Sequence, residues 1–270
     1  MGPKASPPSA PHWPEENIMT EHILIERPEA HPGVTVIRMN RLDKKNAITR
    51  DMYGQMALAL AEADADDAVR AVVLCGAPGC FSAGNDLADF IQIAAAENEA
   101  KNVITFLHEL ARFTKPLLSA VDGIAIGVGV TMHMHCDLTF ASTRTLFKTP
   151  FTDLAVVPEA GSSLLGPRIM GHQRAFAMLA MGEGFSAEEA RQAGLIWKVL
   201  PEDEVEGAAL AAASALAAKP RDSLLISRRL LKGDVEALRD HMDEEMKHFL
   251  AQLRSQEAAG VYAGFFSKKG

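Results

Sequence analysis

The sequence predicts an α/β protein, helices packed on sheets, closed by a helical C-terminal third. Three observations predict it. Short β-favouring runs alternate with stretches of helical spacing as far as about Pro201. Strand signals then stop, and Ala- and Leu-rich helical patterns take over. Apolar residues make up 48% of the 270 positions against 23% charged ones, enough for one large core or two small ones.

Taken in order, residues 1–17 hold five prolines and little apolar periodicity, so they are expected to form a disordered tail before a core over 18–200. No basic segment followed by an apolar one opens the chain, so no secretory signal is expected. His22–Glu26 and Val34–Met39 read as strands, with Pro28, Pro32 and Gly33 as turn signals between them. Thr49 is placed to cap a helix over Thr49–Asp64. Ala71–Cys75 is an apolar strand, Asn102–Phe113 an amphipathic helix and Pro116–Val121 a buried strand. Val128–His135 reads as helix, Asp137–Ala141 as strand and Gly161–Met170 as helix. Over 201–270 three helices are expected, Glu202–Ala218, Pro220–Leu231 and Val235–Ser255.

Composition excludes several functions. Twenty-seven basic residues against 35 acidic ones give a net charge of −8, and aromatics are 6%, so nucleic acid is not an expected partner. No apolar run approaches the roughly 18–20 residues that span a bilayer, so no membrane partner is expected. The three cysteines, Cys75, Cys80 and Cys136, read as reduced thiols in a cytoplasmic setting, with Cys80 and Cys136 as buried packing residues. His133 and His135 lie two apart and would point to nearly opposite sides of a helix, so no metal site is expected.

Two glycine-containing turns stand out: Gly76–Leu87, with the block Phe81-Ser82-Ala83-Gly84-Asn85-Asp86-Leu87, and Gly123–Thr131. Each follows a strand and leads towards a helix, so each can present free backbone N–H groups to negative charge. Two such donors aimed at one point would make an oxyanion hole; the alternative is a pair of tight turns whose glycines serve close packing. Neither turn has the sequence of a P-loop or a full dinucleotide fingerprint.

These turns, with Asn40–Ile48, Cys136-Asp137 and Phe185–Ile196, resemble the crotonase (enoyl-CoA hydratase/isomerase) superfamily from about Glu21 to the C-terminus. The resemblance implies a ClpP/crotonase-like spiral of ββα units with a C-terminal helical trimerisation region. It implies an acyl-CoA thioester substrate, with coenzyme A as part of that substrate and no tightly bound cofactor. The thioester oxygen would lie between the N–H groups of Asn85 and Val128. Lys44, Ala47 and Ala83 match positions lining the nucleotide end of CoA, and Asp86 and Leu87 continue the binding block. Leu87–Lys101 would form part of the pocket wall, its Ala-rich composition suggesting mobility. Phe265 and Lys268 match a C-terminal stretch that in relatives reaches the CoA of a neighbouring subunit; a frayed terminus is the alternative.

Hydratases of this family typically use two glutamates, at positions that here are Thr131 and Phe151. Glu159 remains, in a Pro-Glu-x-x-Ser-Ser run that resembles the peroxisomal-type Δ3,Δ2-enoyl-CoA isomerases, where one glutamate moves the proton. The resemblance therefore implies an isomerase of fatty-acid β-oxidation. The alternatives are a hydratase-like lyase and an acyl-CoA-binding pseudoenzyme. Read without the resemblance, Glu159 is an acid at a helix start, and Ser162 and Ser163 are candidate N-caps with no evident His–acid pair. Asp153 is the nearest other acid and reads as a surface residue. Leu224, Leu225, Ile226, Leu230 and Leu231 make one C-terminal helix apolar on more than one face, so a homotrimer, or a pair of trimers forming a hexamer, is expected.

Overall fold

The structure, a computed structural model, describes residues 22–95 and 100–267. The expected tail lies outside those residues. The chain opens with a hairpin of β1 (Ile23–Glu26) and β2 (Val34–Met39), with Ile23 opposite Met39. Helix α1 (Arg50–Ala65) follows, its first turn closed by the Thr49 hydroxyl, which accepts from the Met52 amide at 3.3 Å. All five residues of β3 (Ala71–Cys75) are buried, as a parallel strand covered on both faces requires.

From β3 onward the chain alternates between two sheets. β3, β5 (Leu117–Val121), β7 (Leu138–Ser142) and β10 (Lys198–Leu200) run parallel beside β2 in a six-stranded sheet ordered β1-β2-β3-β5-β7-β10. The second sheet takes the short strands β4 (Cys80–Ser82), β6 (Ile124–Ile126), β8 (Leu146–Lys148) and β9 (Phe185–Ser186). β4, β6 and β8 each lie one short turn beyond a strand of the larger sheet, while β9 follows a helix, and helices lead back. β4 is followed by α2 (Leu87–Ala95) and α3 (Lys101–Arg112), β6 by α4 (Val128–Thr131), β8 by α5 (Ser162–Met170) and α6 (His172–Leu179), and β9 by α7 (Ala187–Ala193). This is the expected spiral of ββα units. Successive turns stack closely: a Cβ on Gly123 would lie 1.9 Å from the Gly79 carbonyl oxygen, and Gly123 has φ +80°. Asp122 ties the same corner by accepting from the Gly79 amide at 2.6 Å.

Two expectations change. The helix expected over Val128–His135 is α4 followed by a 3-10 turn, Met132–His135, so the chain tightens before entering β7. The C-terminal region holds four helices rather than three: α8 (Val205–Ala217), α9 (Arg221–Lys232), α10 (Val235–Leu253) and α11 (Gln256–Ser267). α8 buries Val205, Ala209 and Ala213 against the outer face of the large sheet, where their small side chains permit close approach. α10 buries Met242, Glu245, Met246, Phe249 and Leu253 along one stripe facing the main core. α9 instead leaves Ile226, Leu230 and Leu231 exposed, the last at 88%. Among the described residues no helix is long and apolar enough to cross a membrane.

One polar anchor joins α9 to the sheet layer. Arg228 is buried; it donates to Asp137 at 2.7 Å and to the Phe113 carbonyl, while Asp137 also accepts from the Leu117 amide at 2.8 Å. Removing one partner of such a pair leaves the other charge poorly compensated, so Arg228→Ala is expected to cost about 3 kcal/mol of stability in urea unfolding. A loss within about 0.5 kcal/mol would show that the anchor is idle.

Candidate active site

The site begins with two backbone turns. Ile48 pairs in parallel with the first: its amide donates to the Gly84 carbonyl at 2.8 Å, and the Asp86 amide donates back to the Ile48 carbonyl at 3.0 Å. In that pattern the intervening Asn85 amide points the other way, and it has no partner among the described residues. At the second turn, Gly127 (φ +56°) ends β6, and its carbonyl accepts from the Val130 and Thr131 amides. Val128 is the first residue of α4, so its N–H has no intrahelical acceptor. Gly84 locks the turns together: at φ +85° it has no Cβ, and one there would stand 2.8 Å from the Ile126 carbonyl oxygen.

Beside the first turn lies a cavity of about 340 Å³. Asn85, Leu87, Phe90, Phe151, Val156 and Phe249 are among its lining residues, and its wall is mostly apolar. Gly127 also lines it, although Val128 itself does not. A smaller cavity of about 10 Å³ shares Asn85, Phe90 and Phe249 with it and is bounded by Glu159. Phe90 and Phe249 meet edge to face, with centroids 5.6 Å apart, between the two spaces.

Glu159 is 3% exposed. Burial pushes its carboxyl up to about 8; the Thr131 hydroxyl, which donates to Glu159 Oε1 at 2.5 Å, acts against that, and the nearby Glu245 carboxylate adds to it. Tyr53 is buried against the same group. Its hydroxyl donates to Asn85 Oδ1 at 2.5 Å, and burial, with the Glu159 charge facing it, holds the phenol well above its usual range.

Glu159 does not cap α5. The N-cap is Gly161, and Glu245 from α10 takes the free amides there: Gly161 N donates to its Oε2 at 2.6 Å and Ser163 N to its Oε1 at 2.9 Å. Nor does either serine cap the helix; Ser162 Oγ is buried without a partner, and Ser163 Oγ donates to Glu245 at 2.5 Å. His241 Nε2 also lies 2.8 Å from Ser163 Oγ. The folded chain thus gives Ser163 a His–acid pair invisible in the linear sequence. It is not the arrangement of a hydrolase: the Ser163 hydroxyl donates to Glu245 rather than to His241, and Glu245 occupies the amides that would have to hold an oxyanion.

The structure brings Asn85, Thr131, Phe151 and Glu159 together around the two cavities, with Ala83 and Leu87 in the wall of the larger. Asp153 is exposed, as expected, yet lines the large cavity. Lys44 is exposed on the 3-10 turn Leu42–Lys44, and Ala47 is half-buried nearby. Asp86 lies outside both cavities, its carboxylate pairing with Arg41 at 2.7 Å and capping α2 through the Ala88 amide at 2.9 Å. Burial opposes its ionisation, but the guanidinium and the helix-end amides win and hold it below the usual carboxylate range. Phe265 falls on α11 with its side chain outside the described residues, and Lys268 lies outside them altogether.

Leu87–Lys101 includes the helix α2; its residues 96–99 lie outside the described residues. The cysteines are free, but only Cys75 is fully buried; Cys80, which opens β4, and Cys136 are half-buried. His133 and His135 face apart, towards Ser119 Oγ at 3.0 Å and the Ala160 carbonyl at 2.7 Å, and no metal-binding cluster occurs among the described residues. Tyr53 and Glu245 were not expected at the site. The signal for Glu245 is present in sequence, as an acid inside the apolar stripe of α10.

Comparison with known proteins shows what the chain resembles. The family model described as enoyl-CoA hydratase/isomerase matches residues 29–265. "Enoyl-CoA delta isomerase 2" of Rattus norvegicus is 37% identical over 243 residues, 88% of this chain and 62% of that protein. The chain thus spans under two thirds of that relative's length. "1,2-epoxyphenylacetyl-CoA isomerase" of Escherichia coli (strain K12) is 30% identical over 88% of this chain and 93% of its own. The structure of Pseudomonas aeruginosa OdaA superimposes with a TM-score of 0.86 at 40% identity, covering 91% of this chain and 99% of that one.

The buried carboxyl has a cost that depends on pH. Between its ordinary value of 4.5 and about 8, folded Glu159 keeps a proton that the unfolded chain has lost, so the group's contribution to stability falls as pH rises through that window. Glu159→Gln is therefore expected to raise Tm over wild type at pH 9 and to leave it near wild type at pH 5. Thermal melts of both proteins across that range check this; a difference independent of pH would contradict it.

Proposed function

The chain belongs to the enoyl-CoA hydratase/isomerase family, and we propose that within it the protein is a Δ3,Δ2-enoyl-CoA isomerase using Glu159 as its single proton carrier. One observation carries the reading. Two carboxylates line the cavities described above, and of these Asp153 is exposed while Glu159 is buried, with a raised proton affinity and a hydroxyl partner. In the proposed reaction the thioester oxygen of a 3-enoyl-CoA accepts from the Asn85 and Val128 amides. Glu159 takes a proton from C2, charge moves onto the oxygen as the dienolate forms, and Glu159 returns the proton at C4. Each preorganised donor stabilises that charge by about 3 kcal/mol. Phe151, 4% exposed, places an apolar wall where hydration would need a second polar group. The resemblance to delta isomerases supports the same choice.

The base must be ionised to act, so turnover should rise with pH through the region near 8 where Glu159 loses its proton. Purified protein incubated with trans-3-enoyl-CoA is expected to yield the trans-2 isomer, and Glu159→Gln to lose that activity by at least about 100-fold. Formation of 3-hydroxyacyl-CoA from trans-2-enoyl-CoA would instead make it a hydratase, and binding without turnover a pseudoenzyme.

We also propose that the exposed apolar side of α9 meets another subunit. Ile226, Leu230 and Leu231 are 49%, 75% and 88% exposed, and such a row at helical spacing is costly in water. Light scattering at micromolar concentration is expected to give about three or six times the 29.1 kDa chain mass. A mass of one chain would overturn the proposal.

A further inference from the structure

We propose that Glu245 is a positioning residue for Glu159, fixing the turn that carries it through three hydrogen bonds to one buried carboxylate. The inference rests on Glu159 being the proton carrier. Ala160 and Gly161, directly after Glu159, both adopt left-handed backbone, with φ +59° and +72°. That conformation strains an alanine and persists only where the surroundings impose it. Two groups impose it here. From α10, Glu245 accepts from Gly161 N at 2.6 Å, Ser163 N at 2.9 Å and Ser163 Oγ at 2.5 Å. From the 3-10 turn after α4, His135 Nε2 donates to the Ala160 carbonyl at 2.7 Å. The peptide following the base is thus held from two sides. The C-terminal helical region supplies one of them.

The contact is also electrostatic. Glu159 faces Glu245 from α10, the Tyr53 phenol from α1 and the Thr131 hydroxyl from α4, with His135 on the next peptide. Burial keeps His135 neutral, at about 4, and the phenol protonated. Glu245 is therefore the negative charge acting on Glu159. Its own carboxyl is raised by burial; the Ser163 and Gly161 donors, and His241 Nε2 at 3.5 Å from Oε1, oppose that. A like charge makes Glu159 hold its proton more tightly and makes its ionised form a stronger base. One residue thus sets both where the base points and how strongly it binds the transferred proton.

The test uses Glu245→Gln, which keeps the volume but removes the charge and turns one acceptor into a donor facing an N–H. The carboxyl of Glu159 is followed by carbon NMR in protein labelled at glutamate Cδ, assigned with Glu159→Gln. Its titration midpoint is expected to fall by about one pH unit in Glu245→Gln, and kcat with trans-3-enoyl-CoA to fall on the order of 10- to 100-fold with KM little changed. Glu245→Asp, which retains the charge, should restore most of the midpoint. An unmoved midpoint in Glu245→Gln overturns the proposal. Because the titration needs no substrate, it stands even if the wild type fails to isomerise, a result that would sink the isomerase reading alone. Should Glu245→Gln not fold, Ser163→Ala decides: faster hydrogen exchange at the Gly161 amide supports the clamp, and unchanged exchange overturns it.

Discussion

The site depends on the close backbone contact between the two turns, where Gly84 meets the Ile126 carbonyl and Gly129 meets Ser82. β4 and β6 are parallel neighbours in the smaller sheet, so the turns that follow them emerge side by side. A side chain at Gly84 would force them apart, and the Asn85 and Val128 amides would no longer share a locale. Their freedom from other acceptors follows from the same geometry: one amide is turned outward by parallel pairing with Ile48, and the other begins a helix. The spiral is what sets these two turns side by side, with Asn85 and Gly127 lining one cavity.

Around that backbone feature, Glu159 is surrounded by side chains from several elements. α1 brings Tyr53, α4 brings Thr131, and α10 brings Glu245 and Phe249. A buried acid such as Glu159 is unfavourable unless its surroundings accept it in one protonation state or the other. Here the hydroxyl of Thr131 steadies the ionised form, while burial and Glu245 favour the neutral one. The opposing influences leave a group able to change state near neutral pH, as the proposed proton carrier requires.

Much of this was legible in the sequence, and the omissions have physical causes. β2, β3 and β5 were readable because runs such as Ala71–Cys75 are apolar throughout and bounded by turns. The Thr49 cap was readable because a short hydroxyl before a helical pattern has few other uses. The second sheet was not: β4, β6 and β8 have three residues each and β9 two, too few to show a period of two. Asn85 and Thr131 were singled out through the two glycine-containing turns, Phe151 as the position of a hydratase glutamate and Glu159 through the Pro-Glu-x-x-Ser-Ser run. Glu245 was not, because it is one acid in the run Asp243-Glu244-Glu245 and its partners Gly161 and Ser163 lie 84 and 82 positions away. Its place in the apolar stripe marks it as inward-facing, whereas Glu244 faces Lys247 at the surface; what it binds only the fold shows.

The aromatic pair between the two cavities sets the remaining constraint on the chemistry. The large cavity is apolar, so on the acyl-CoA reading an acyl chain gains by entering it, at about 25 cal/mol for each Å² of apolar surface withdrawn from water. Glu159 stands beyond Phe90 and Phe249, bounding a space of about 10 Å³, room for about one water. A carboxyl so enclosed meets few proton acceptors other than a substrate carbon brought against it. On the isomerase reading, a proton taken from C2 then has little chance to exchange with solvent before it returns at C4. The enclosure that raises the affinity of Glu159 for its proton would, on that reading, also keep the proton within the reaction.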